Sequence, residues 1–484
     1  MTAVLAVREI RSPWDGRVVG TVAEPSHQAV EAAVGAAAAA RTELARLPAH
    51  RRAAALDHVS QRLVERASEL ADLLVAEAGK PLVWARAEVA RAAGTFRLAA
   101  EEARRWSGEL QRLDTDPASD GRLALVRRAP RGPVLAIAPF NFPLNLVAHK
   151  VAPALAVGCP VVLKPAPQTP LSALALGELL AETDLPAGSW SVLPVDNDAA
   201  GALVRDPRLP VVSFTGSGPV GWGICDAAPR KHVTLELGGN AAVVVAPDWG
   251  SQADLLWAAT RCATFGMYQA GQSCVSVQRV LCAREHLSVF RSLLVDAVEA
   301  LGTGDPADPA TDVGPLVDEA AARRVQAWVD EAVHSGARLL TGGVRTGSTY
   351  APTVLEEVPA GAKVLDEEVF GPVVVLQAVD TVDEAFALVN ASPYGLQTGV
   401  FTRDVQLAFR AGSELEVGGV VVGDVPSYRS DAMPYGGVKA SGRGREGVRA
   451  AMHDLTEERV LVLTGLSLWR VTAPSTARTS PSSA

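Results

Sequence analysis

The sequence predicts an α/β protein with parallel, doubly wound sheets, and three observations carry that reading. Between His27 and Leu110, apolar residues at Leu56, Val59, Leu63, Leu70 and Leu74 fall in helical register. At Val134 the period changes: short apolar runs alternate with amphipathic stretches, the pattern of buried strands joined by helices. At 484 residues the chain holds about three domains of roughly 150 residues, more than one small binding module needs.

Each element follows in order. The Ala-, Leu-, Arg- and Glu-rich stretch from His27 to Leu110 predicts several helices. The polar, strand-like segment Gln111 to Arg131 fits neither pattern and reads as an arm that pairs with another subunit. The runs Val134 to Ala138, Val161 to Leu163, Val192 to Leu193 and Val211 to Phe214 predict a first parallel sheet. A second alternation follows, with helices near Ser251 to Phe265, His286 to Leu301, Asp318 to Ser335 and Val382 to Asn390. Its strands are expected near Ser276 to Leu281, Val373 to Ala378 and Gly419 to Val422. The small and polar residues from Thr472 to Ala484 cannot bury a core and predict a disordered tail.

Composition excludes several classes of function. Acidic residues outnumber basic ones, 54 to 45, for a net charge of -9, which disfavours broad binding to nucleic acid or to an anionic membrane. The longest apolar run, Val151 to Leu163, is broken by Pro153, Gly158 and Pro160, so no membrane span is expected. The N-terminal residues reach charge too early for a signal peptide. Five cysteines without a CxxC pair suggest neither disulfides nor a cysteine zinc site; free thiols point to a reducing, cytoplasmic compartment. The eight histidines show no HxH or HxxxH spacing, so no metal is expected. Only six basic residues are lysines: Lys80, Lys150, Lys164, Lys231, Lys363 and Lys439. A lysine retained in so arginine-rich a chain marks a place to inspect.

Several residue groups have the chemistry of a site. Gly216-Ser217-Gly218-Pro219-Val220-Gly221 has GxGxxG spacing between a predicted strand and a predicted helix. Such a turn aims backbone amides and a helix N-terminus at an anion, although a turn that merely needs glycine reads the same way. Lys164 ends a predicted strand, where it faces a ligand crevice or solvent. Cys274, in GQSC, is the nucleophile candidate with glycine close by to leave room for substrate; taken alone, a cysteine is more often a buried apolar residue than a catalyst. Glu236, flanked by Leu235 and Leu237, sits where burial would raise its pKa and suit it to general-base work, or it is an ion-paired edge residue. Asn141, between Pro139 and Pro143, offers an amide N–H to an oxyanion or serves a turn.

Together these phrases resemble the aldehyde dehydrogenase family from about Trp14 to Leu463: APFNFP, VVLKP, VSFTGS, LELGGN, GQSC, EEVFGPV and PYGGVKASGRGREG occur in the family's order and approximate spacing. The resemblance implies a Rossmann-like cofactor domain (residues 1–110 and 132–250), a catalytic domain (251–458) and a small β oligomerisation arm (111–131 and 459–471), assembled as a homodimer or homotetramer. It assigns Cys274 as nucleophile, Glu236 as general base and Asn141 as oxyanion donor. It assigns Lys164, Gly216, Ser217, Gly221, Pro139, Phe140, Glu368 and Phe370 to NAD or NADP. The implied reaction is oxidation of an aldehyde through a thiohemiacetal and a hydrolysed thioester. Two alternatives stand beside it: a coenzyme A-acylating semialdehyde dehydrogenase, disfavoured by the presence of Glu236, and a non-catalytic relative on the same fold.

Two departures from the common pattern refine the expectation. NAD-preferring relatives often carry a glutamate three residues after the lysine; Pro167 stands there, removing a repulsion against a 2′-phosphate and tilting the choice toward NADP. The positions implied to line the substrate tunnel are Phe142, Asn145, Leu146, His149, Ser273, Val275, Tyr428 and Arg429. Asn145, His149, Ser273 and Arg429 make it polar, which favours a small polar or anionic aldehyde, unless Arg429 is taken up by a salt bridge with Asp431 or another acid. The phrase SYRSDAMPYGGVK is similar to lactaldehyde and phosphonoacetaldehyde dehydrogenases in particular.

Overall fold

The computed structural model describes residues 7–465; the expected tail and the last part of the arm, 466–471, lie outside the described residues. Four helices, His27–Arg46, Ala49–Glu65, Ala67–Ala78 and Leu82–Arg105, account for the helical register of the first segment. Leu56, Val59, Leu63, Leu70 and Leu74 are all fully buried, packed against one face of the first sheet. A hairpin, Val7–Arg11 with Val18–Ala23, precedes them.

The first sheet orders its strands as Gly442–Arg443, His232–Glu236, Val211–Thr215, Val134–Ile137, Val161–Lys164 and Trp190–Val192. All pairs are parallel except the two-residue Gly442–Arg443 strand. The second sheet runs Arg338–Thr341, Thr353–Glu356, Val373–Val379, Arg279–Ala283, Ala242–Val245, Gln397–Phe401 and Gly419–Val422. Only its first pair is antiparallel. Helices Gln252–Met267, Leu287–Glu299, Glu319–His334 and Val382–Asn390 agree with the expected positions to within a few residues.

The expected boundary at 250 needs correcting. Ala242–Val245 lies inside the second sheet, between Arg279–Ala283 and Gln397–Phe401, so the chain crosses over at Gly238-Gly239. Both glycines are needed there: a Cβ on Gly238 would collide with the Glu368 carboxylate, and one on Gly239 with the backbone carbonyl of Cys274. Near the other end, Val448, Met452 and Leu455 return to the first core, although they lie within the expected catalytic segment.

The arm is a three-stranded antiparallel sheet of Thr456–Leu463, Leu123–Pro130 and Glu109–Arg112. Its strands start earlier than expected, at Glu109 rather than Gln111 and at Thr456 rather than Arg459. Val460, Leu461 and Val462 on its edge strand are 61%, 56% and 48% exposed. Among the described residues no helix is long and apolar enough to cross a membrane.

Candidate active site

Cys274 is delivered by a strained turn. Helix Gln252–Met267 stops, and Gln269, Ala270 and Gly271 follow at φ of 54°, 53° and 70°. Two of these are non-glycine residues in the left-handed region, each costing about 1–2 kcal/mol. Gly271 was expected to make room for substrate; instead a Cβ there would strike the carbonyl of Gly371, so it makes room for backbone. The turn is held by Gln272, whose Oε1 accepts from Val317 N–H at 2.9 Å. The half-buried Cys274 thiol lies 3.1 Å from the Tyr435 hydroxyl. Enclosure by protein pushes its pKa up to about 12, against the lowering effect of that hydrogen bond.

Asn141 follows strand Val134–Ile137, and its amide Nδ2 donates to the carbonyl of Gln272 at 2.9 Å. A side-chain amide carries two N–H hydrogens, so one is left for an oxyanion. Fully buried Lys80 donates to the Asn141 backbone carbonyl at 2.9 Å, pairs with Glu88, and stands 3.9 Å over the Phe142 ring. Glu88 in turn accepts from the backbone N–H groups of Leu144 and Asn145 at 2.9 and 3.0 Å.

Glu236 ends strand His232–Glu236 and is 3% exposed, with no hydrogen-bond partner at either carboxylate oxygen among the described residues. Burial, then the negative charge of Glu446, raises its pKa well above the usual carboxylate range. Glu446 holds the nearby cations, accepting from Lys150 at 3.0 Å and from Arg429 at 3.2 Å.

A cavity of about 580 Å³ takes in Cys274, Glu236 and Asn141 together with Pro139, Phe140, Lys164, Gly216, Ser217, Glu368 and Phe370. Its chemistry fits a dinucleotide. Ser217 caps helix Gly218–Ala227 without spending its side chain on the cap, so a helix N-terminus and a hydroxyl both face the cavity. Lys164 ends its strand and donates to Asn197 Oδ1 at 3.1 Å; burial and then Arg8 pull its pKa down to about 8. Glu368 accepts from Gly239 N–H at 2.9 Å, and burial raises it to about 7. Phe370, at φ 47°, packs edge-on against Phe140. Gly221 is outside the wall, because its missing Cβ makes room for Leu237 in the packing of helix on sheet.

Of the expected tunnel residues, Leu146 lines this cavity, while Phe142, Asn145, His149, Ser273, Val275 and Arg429 do not. Their side chains have other partners. Phe142 lies under Lys80, and the Asn145 carbonyl oxygen accepts from Thr95 at 3.4 Å. His149 bonds Asp431 at 2.8 Å; burial and then Arg429 bring its pKa down to about 4. Ser273 accepts from the Tyr268 hydroxyl at 2.8 Å, and Val275 is in an apolar cluster with Leu396 and Tyr435. Tyr428 is 53% exposed. Arg429 pairs with Glu446 rather than Asp431, which takes Arg91 and His149 instead. The buried Nε of Arg429 has no partner among the described residues.

Sequence reasoning gave no role to Lys80, Glu88, Lys150, Tyr435 or Glu446. For the lysines a signal existed: two of the six retained lysines, Lys80 and Lys150, are buried beside the site. Tyr435 and Glu446 lie within PYGGVKASGRGREG, but their pairing is apparent only in three dimensions.

The family model described as "Aldehyde dehydrogenase family" matches residues 5–461. The chain is 45% identical to the 3-sulfolactaldehyde dehydrogenase of Priestia aryabhattai over 83% of each chain. Among solved structures, aldehyde dehydrogenase 21 of Physcomitrella patens, in complex with the reaction product succinate, superposes with a TM-score of 0.94 at 42% identity, covering 97% of both chains. A glyceraldehyde-3-phosphate dehydrogenase of Methanocaldococcus jannaschii complexed with NADP gives a TM-score of 0.89 at 34% identity, over 94% of this chain and 98% of that one. The chain belongs to the aldehyde dehydrogenase family and is an NAD(P)-dependent enzyme.

Proposed function

We propose that this enzyme oxidises a small polar or anionic aldehyde to the carboxylic acid through a thioester on Cys274 that water hydrolyses. One observation carries this reading: a thiol, an amide donor and an unpartnered buried carboxylate share one cavity. Cys274 Sγ adds to the aldehyde carbon, and charge collects on the carbonyl oxygen. The free N–H of Asn141 and the Cys274 backbone N–H stabilise that oxygen. The nicotinamide nucleotide, when bound, is the acceptor for the hydride that the tetrahedral carbon releases. Lys164, Gly216 and Ser217 would hold its phosphate and adenosine portion, and Glu368 and Phe370 its other half. Glu236 then takes a proton from the water that attacks the thioester, releasing acid and thiol. The raised pKa of Glu236 makes it a stronger base once ionised.

The substrate class is supported by the relative named for a sulfonated aldehyde and by the buried Nε of Arg429, which keeps no partner among the described residues although the side chain is off the cavity wall and pairs with Glu446. The tilt toward NADP is supported by Pro167, which lines the cavity beside Lys164. A second copy of the chain is the partner we infer for the arm, because Thr456–Leu463 is an edge strand with exposed apolar side chains and, among the described residues, no strand on its outer side. The deciding test is turnover of short aldehydes with each nucleotide and without coenzyme A. Free acid should accumulate; turnover only when a thiol acceptor is supplied would overturn the hydrolytic reading.

A further inference from the structure

Tyr435 has no part in the chemistry above, yet its hydroxyl is 3.1 Å from the Cys274 sulfur. Its placement is constrained from every side. The ring is 5% exposed and shares an apolar cluster with Val275 and Leu396. Its backbone exchanges two hydrogen bonds with Glu446, at 3.0 and 2.7 Å. The guanidinium of Arg429 stands 3.9 Å over its ring centroid and is itself held by Glu446. The charged groups facing the thiol are Glu236, Glu368 and Arg429, and Tyr268 approaches through Ser273. Two of these are carboxylates, which oppose a negative sulfur.

We infer that Tyr435 is a catalytic residue that donates a hydrogen bond to the Cys274 thiolate, and that Arg429, stacked on its ring, is the positioning residue that strengthens this donor. With a neutral thiol either group can donate; once the sulfur is ionised only the phenol can. Ionisation therefore turns an ordinary contact into a charge-assisted one, about twice as strong. A cation over the ring draws electron density from the phenol and makes its O–H a better donor. The same hydrogen bond is the largest influence favouring the ionised thiol, against burial and both carboxylates.

This inference rests on Cys274 being the nucleophile, and the test separates the two. Alkylation of Cys274 by iodoacetamide and by the larger N-ethylmaleimide is followed at matched pH, with the site identified by peptide mass spectrometry. In Tyr435→Phe the thiol pKa should rise by about one unit. Part of the lost thiolate is offset because a more basic thiolate is more nucleophilic. The net expectation is about three- to fourfold slower alkylation, by the same factor for both reagents. Arg429→Met, which keeps the hydroxyl, should slow both reagents by a smaller factor. The burst of aldehyde oxidation should slow in Tyr435→Phe. Unchanged or faster alkylation in Tyr435→Phe, or different factors for the two reagents, would overturn the inference. Aldehyde oxidation surviving in Cys274→Ala would instead overturn the nucleophile assignment, whatever the alkylation rates.

Discussion

Lys80 donates to the backbone carbonyl of Asn141 from a position with no solvent exposure, tying the helix-rich N-terminal segment to the loop that carries Asn141. Lys80→Met would strand the Glu88 carboxylate without its cation, at a cost of about 3–5 kcal/mol. We expect a lowered unfolding midpoint and a slower oxidation burst. Glu88→Gln added to Lys80→Met should recover much of the midpoint but not the burst, because the Asn141 loop still lacks its anchor. Full recovery of both, by urea unfolding and rapid quench, would refute a positioning role.

Glu236→Gln should release one reduced nucleotide per site and then stall at the thioester. In the wild type, thioester hydrolysis should accelerate as pH rises beyond the usual carboxylate range. The sign follows from the raised pKa: the base works deprotonated, and burial with Glu446 nearby delays its ionisation. Single-turnover hydrolysis at several pH values measures it, and a flat profile argues for another base.

Nucleotide preference should be relaxed or favour NADP. A kcat/KM for NADP below about a hundredth of that for NAD, about 2.7 kcal/mol of discrimination, would defeat the argument from Pro167. Lys164 adds a pH signature. With its pKa pulled down to about 8, it loses its charge above that pH, so NADP binding should weaken more than NAD binding between neutral and alkaline solution. Fluorescence titration of both nucleotides tests this.

Substrate charge is read by comparing a short anionic aldehyde with a neutral one of similar size. Arg429 is off the cavity wall with only its Nε unpartnered among the described residues; a loss in Arg429→Ala of about tenfold or more on the anionic substrate beyond that on the neutral one would show that this Nε reaches substrate, a charge-assisted contact of about 1.5–3 kcal/mol. Equal losses on both substrates would leave Arg429 with only its effect on Tyr435.

The edge strand should set the assembly state. Val460→Lys with Val462→Lys places two charges on the exposed apolar strand and should shift the enzyme toward monomer in light scattering. An unchanged mass would show that subunits meet elsewhere.

The parts of the fold that were legible in the sequence are those governed by short-range pattern. The Leu56 to Leu74 register became buried helices, and Val134, Val161 and Val211 each begin a strand. Lys164 and Glu236 each end one. Contacts between distant segments were not legible. A salt bridge of Arg429 with Asp431 or another acid was one of two readings; that the acid is Glu446 follows only from the chain turning back to exchange backbone hydrogen bonds at Tyr435 and Glu446. The crossover between sheets was misplaced for a similar reason: Ala242–Val245 is an ordinary apolar run, and only its neighbours show which sheet it joins.

Because Gly238-Gly239 is where the chain passes from one sheet to the other, Glu236 and Asn141 are set by one hydrophobic core while Cys274 is set by another. Neither core contains a complete reaction centre. Recovery of turnover on refolding should therefore trail recovery of secondary structure, because activity needs both cores docked. A ligand lodged in the cavity touches residues from both, including Lys164 and Glu368, and would hold them together; nucleotide should therefore shorten the lag between recovered circular dichroism and recovered catalysis.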